Sequence, residues 1–151
     1  MTENEKAIVA LLEEQNMLLY DILSLSEPFK PTNDDVEKYI EFMQARQEKF
    51  DSINDLVEKL KKIGFDQSAF SSTGKTEGSI DFKKVLEDLY NAGRATTYRI
   101  REIDLSHKPI MEEIRNSFMD ELKTLKTRKS AKSLYSDDNM PNSRNYFNQT
   151  K

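Results

Sequence analysis

Apolar positions recur at intervals of three and four residues along most of this chain, the spacing that places them on one face of a helix. In the first such stretch they are Ile8, Leu11, Leu12, Leu18, Leu19, Ile22 and Leu25, with polar Gln15 inside the stripe. The pattern predicts a helix from about Thr2 or Glu3 to about Ser26, ended by Pro28 and Pro31, because a residue before proline avoids the helical region. A second stretch carries Val36, Tyr39, Ile40, Met43, Phe50, Ile53, Val57, Leu60 and Ile63, interrupted once by Arg46 and Gln47. Thr32 is the expected N-cap, with Asp34 and Asp35 in the first turn, and Gly64 the expected C′ residue behind Lys61 and Lys62. About 31 residues make this helix roughly 46 Å long. Residues 64–79, rich in Ser, Thr and Gly, are expected to form the one long loop.

The third helical region opens near Ser79 to Asp81 and is the longest. Its face reads Phe82, Leu86, Leu89, Gly93, Thr97, Ile100, His107, Ile110, Met111, Ile114, Phe118, Leu122 and Leu125. Pro109 lies inside this run, where its ring crowds the carbonyl of residue 105 and removes a hydrogen bond. Two outcomes are open: a kinked, roughly continuous helix, or a break near Ser106 with residues 109–133 folding back as a fourth helix. Survival of the apolar phase across the proline favours the kink, since a turn need not preserve it. From about Tyr135 the stripe gives way to Asn, Ser and Asp, so a flexible polar tail over 135–151 is expected behind a single helical domain over 1–134. The expected fold is all-α, an elongated antiparallel bundle or coiled coil of three long helices.

Composition narrows the function. The chain has 151 residues, 33% charged and 36% hydrophobic, a mixture suited to long helices with much exposed surface. With 4 Gly and 4 Pro it has too few turn residues for a many-stranded fold. With no Cys and a single His, disulfide frameworks and zinc-finger spacings are excluded, and the lack of Cys suits a reducing cytosol. The opening MTENEKAIVALLEEQ is acidic and is not expected to be a signal peptide, and no apolar run approaches the roughly 18 residues of a membrane-spanning helix. A cytoplasmic protein without membrane insertion is expected. Residues 1–77 carry 9 Lys+Arg and 16 Asp+Glu, net −7, whereas residues 78–151 carry 14 and 11, net +3. General nucleic-acid binding needs a broadly basic surface, so no nucleic-acid partner is expected.

Candidate chemistry is sparse. Ala69 to Thr76, AFSSTGKT, fits a loosened phosphate-binding loop, but that chemistry needs a buried strand before it and a helix start immediately after. His107, three residues after Asp104, could suggest a metal or acid–base pair, yet one His supplies too few ligands. The carboxylate pairs Glu13–Glu14, Asp34–Asp35 and Glu112–Glu113 point about 100° apart on a helix and do not share a proton. Neither catalysis, cofactor nor metal is expected.

Two features point to partners. Lys123, Lys126, Arg128, Lys129 and Lys132 place five cations and no acid in ten residues. They either complement a helix C-terminus or dock an acidic protein or, less favourably, anionic lipid. Moreover, helices of about 24 and 31 residues cannot cover a third of about 54, so its last 20 or so residues would overhang. That overhang carries Ile110, Met111, Ile114, Phe118, Leu122 and Leu125, a stripe for a partner helix, for a second copy, or for the folded-back alternative.

The opening helix ALLEEQNMLLYDILSLSE and the following IEFMQARQEKFDSINDLVEKLKKIG resemble FlgN-type flagellar export chaperones. The C-terminal LKTLKTRKSAKSLYSDDNMPNSRNYFNQTK, a basic helix end, a Tyr and a short polar tail, is similar to that family and its FliT-type relatives. The resemblance implies a cytosolic, non-enzymatic chaperone, monomeric or homodimeric, that holds C-terminal amphipathic helices of hook-associated or filament-cap proteins before export. It implies client binding at Ile110, Met111, Ile114, Phe118, Leu122 and Leu125. It further implies docking to the export gate or export ATPase components through Lys126, Arg128, Lys129 and Tyr135. The competing expectation is a structural coiled-coil or adaptor protein that acts through homodimerisation.

Overall fold

A computed structural model describes the backbone from Met1 to Tyr135 and side chains as far as Ala131. Residues 136–151, on which most of the expected tail falls, lie outside the described residues. The fold is all-α, with helices α1 (Glu3–Ser26), α2 (Val36–Lys62), α3 (Gln67–Thr73) and α4 (Ile80–Tyr135), and no strand among the described residues. Two units are distinguished, Met1–Lys108 and Pro109–Lys151.

The start of α1 is fixed by a reciprocal cap. Thr2 Oγ1 accepts from the Glu5 N–H at 3.1 Å, and Glu5 Oε2 accepts from the Thr2 N–H at 2.8 Å. The same carboxylate reaches the start of α4, where Oε1 accepts from the Ser79 N–H at 3.1 Å and Oε2 from the Ser79 hydroxyl at 3.4 Å. Ser79 Oγ in turn accepts from the Phe82 N–H at 3.2 Å. One carboxylate thus serves two helix N-termini. These bonds, from the Thr2 backbone first and the Ser79 backbone next, hold the Glu5 pKa below its ordinary value. Gly78 is required beside it: φ is +139°, and a Cβ there would lie 2.8 Å from Glu5 Oε1 and 2.6 Å from the Phe82 ring.

The N-cap of α2 is Asp35, whose Oδ1 accepts from the Lys38 N–H at 3.0 Å; it is not Thr32. Aspartate caps at least as well as threonine, so Thr32, Asn33 and Asp34 are left in the preceding turn and α2 has 27 residues. At the other end the Gly64 N–H donates to Lys61 O and the Phe65 N–H to Leu60 O, with Gly64 at φ +86°. This is a Schellman closure, completed by Phe65 and Leu60 entering the same core cluster.

The expected long loop contains α3. Asp66 caps it by accepting from the Ala69 N–H at 3.0 Å, and Gly74 ends it at φ +66°. Its one large apolar residue, Phe70, is buried, tilted against Phe65 and edge-on to Tyr90 at 5.6 Å. α4 is helical throughout with Pro109 inside it, so the alternative break near Ser106 does not occur.

The core of the first unit joins Ile8, Val9 and Leu12 of α1, Leu60 of α2, Phe65 and Phe70, and Phe82 and Leu86 of α4. Each such side chain contributes on the order of 1.5–3 kcal/mol by leaving water. Polar ties run alongside: Lys49 to Asp21 at 3.6 Å, Arg99 to Glu27 at 3.7 Å, and the Asn16 amide donating to Leu89 O at 2.9 Å. Phe29, just after α1, stacks on Phe42 at 4.0 Å and receives the edge of His107 at 6.2 Å.

Candidate functional site

Beyond Lys108, α4 changes character. Ile110 and Met111 are half-buried and Ile114 is 5% exposed, but Phe118, Met119, Leu122 and Leu125 are 54%, 49%, 45% and 52% exposed. At about 100° per residue, Phe118, Leu122 and Leu125 fall within about 60° of one another, and Met119 lies beside them. From Phe118 to Leu125 the stripe runs about 10.5 Å along the axis. Of the six side chains expected to meet a client, the structure therefore offers Phe118, Leu122 and Leu125 openly. Met119 joins them; it sits one residue out of the a/d phase, and only its accessibility reveals it.

Lys123, Lys126, Arg128 and Lys129 are all exposed, and none has an ion-pair partner among the described residues. Lys126 and Lys129 project within about 80° of Phe118, so the apolar face continues into a basic one. Arg128 projects to the opposite flank, with Glu121. Tyr135 is the last residue of α4, and its side chain lies outside the described residues.

The other sequence candidates are dispersed. Residues of the phosphate-loop-like segment form the end of α3: the Gly74 N–H is spent on Phe70 O, and the Lys75 N–H donates to Thr73 Oγ1 at 3.2 Å. No strand precedes them among the described residues, and α4 does not begin until Ile80. Asp104 and His107 do not act together: Asp104 is gripped by Arg46, while His107 faces Phe29.

That grip was hidden in the sequence, where Arg46 reads as an interruption of an apolar stripe. Its side chain is 8% exposed, bonded at 2.7 and 2.9 Å to the two oxygens of Asp104, with the guanidinium 5.3 Å from the Phe42 ring and 5.7 Å from that of Phe50. Arg46 Nε is buried without a hydrogen-bond partner. Among the described residues there is no cluster of three or more potential metal ligands and no helix long and apolar enough to cross a membrane. No family model, no curated protein and no solved structure matches the chain.

Proposed function

We propose that this protein is a non-enzymatic, cytoplasmic chaperone of flagellar type III export that shields an amphipathic helix of a hook-associated or filament-cap protein. The observation that carries the reading is the run of exposed apolar side chains at Phe118, Met119, Leu122 and Leu125. An apolar helix face of this kind is stabilised by laying a second amphipathic helix against it, and methionine adapts to unlike partners. In this reading α1, α2 and the part of α4 before Pro109 form a three-helix antiparallel bundle that steadies the binding helix. The first unit agrees with it: α1 meets α2 through Asp21 and Lys49, and α2 meets α4 through Arg46 and Asp104. A bend at Pro109 belongs to the same reading. Lys126, Arg128, Lys129 and Tyr135 then form the side that docks on the export gate or export ATPase.

Light scattering coupled to size exclusion tests this, with the chain alone and co-expressed with C-terminal helical segments of hook-associated and filament-cap proteins. A discrete complex with one segment, lost in Phe118→Asp while helicity is kept, is the expected result. A stable dimer that ignores every segment and dissociates in Phe118→Asp would instead assign the stripe to self-association.

A further inference from the structure

A second site lies wholly within Met1–Lys108. α1, α2, α3 and α4 surround a partly open cavity of about 550 Å³, within the 300–1,000 Å³ range usual for small-molecule sites. Its apolar walls include Leu12, Leu19, Ile53, Phe70, Leu86 and Leu89. The amides inside it are already engaged: Gln15 and Gln67 bond each other at 2.7 and 3.3 Å, and Asn16 donates to Leu89 O. Gly93 makes the last contact possible, because a Cβ there would lie 2.6 Å from Asn16 Oδ1.

The charges are one-sided. Arg94 and Arg101 line the cavity, and no acidic residue does. Neither arginine has a hydrogen bond or ion pair among the described residues, whereas neighbouring Arg99 pairs with both Glu27 and Glu102. They stand two helical turns apart, about 10.5 Å along α4, both on its cavity side. Guanidinium groups present paired donors that match a carboxylate. An apolar chamber with two free guanidiniums at its mouth has the complementarity of one ligand class.

We propose that this cavity binds a small amphipathic carboxylate, with its apolar body against Leu12 and Leu86 and its head between Arg94 and Arg101. Calorimetric titration of the full chain with decanoate, decanol and decyltrimethylammonium, each below its micelle-forming concentration, tests it. Decanoate should bind saturably at one site, decanol at least tenfold more weakly, and the cation not at all. Arg94→Gln/Arg101→Gln, both at exposed helical positions, should lower decanoate affinity at least tenfold with unchanged circular dichroism. Thr97→Trp, which fills the mouth, should remove binding; should that variant misfold, the arginine pair decides alone. Phe118→Asp should leave decanoate binding intact, separating this site from the proposed client surface. Absence of saturable decanoate binding, or equal affinity in the arginine variant, overturns the proposal.

Discussion

α4 supplies apolar residues to both units of the protein, and they meet opposite fates. Before Pro109, Phe82, Leu86, Ile100 and Ile103 are buried; after Ile114, Phe118, Leu122 and Leu125 are open to solvent. The spacing is the same on both sides, so periodicity identifies a helix face without saying whether anything covers it. Within Met1–Lys108 the buried α4 residues Phe82 and Leu86 share a cluster with α1 and α2 side chains, whereas Phe118, Leu122 and Leu125 are exposed. A residue type therefore contributes to folding in one stretch and remains available for binding in the other.

Truncation at matched positions should expose this contrast most strongly. Phe82→Ala, at a side chain 2% exposed, should cost about 3–5 kcal/mol in urea unfolding, whereas Leu122→Ala should change stability by less than about 0.5 kcal/mol. Equal losses would mean that the exposed stripe is covered in solution and would break the comparison.

The next effect concerns a polar contact that belongs to the packed unit. Asp104→Asn leaves the Arg46 guanidinium buried without its counter-charge and should destabilise by roughly 1–3 kcal/mol, the carboxylate's partial exposure softening the loss. Adding Arg46→Met should recover part of it, because a flexible apolar chain can fill the space between Phe42 and Phe50. Failure of the double variant to improve on Asp104→Asn would mean that the pair is not a coupled unit.

This pair also separates what a local sequence pattern encodes from what only the fold brings together. Local signals were legible: the Thr2 start of α1, the Gly64 close of α2 and the long apolar face of α4 each rest on a few adjacent residues. Arg46 was not, because its partner lies 58 positions away and a charge within a stripe ordinarily faces water. α3 escaped because QSAFSST holds a single large apolar residue, too few to set a period. The cavity was equally invisible, being assembled from four helices, while Phe118, Leu122 and Leu125 of the exposed apolar face follow from the 3–4 spacing and Met119 does not.

The smallest effect expected is at Glu5. A carboxylate whose folded pKa is lowered contributes stability in full above its ordinary value of 4.5, and that contribution is lost as pH falls through the lowered value. Glu5→Gln should therefore be less stable than the parent at neutral pH, with the difference closing in acid. A difference independent of pH would show that the capping geometry, not the charge, matters.

The double duty of Glu5 also orders events during synthesis. Thr2 and Glu5 can close their local cap as soon as the first turn emerges from the ribosome, but Ser79 arrives 74 residues later. The same interval separates Ile8 from Phe82 in the core cluster. Until α2, Phe65, Phe70 and the start of α4 have emerged, α1 thus carries an apolar face without its full cover, a condition that invites holding factors and nascent-chain aggregation. A protein proposed to guard the sticky helices of others has, while it is being made, a sticky helix of its own.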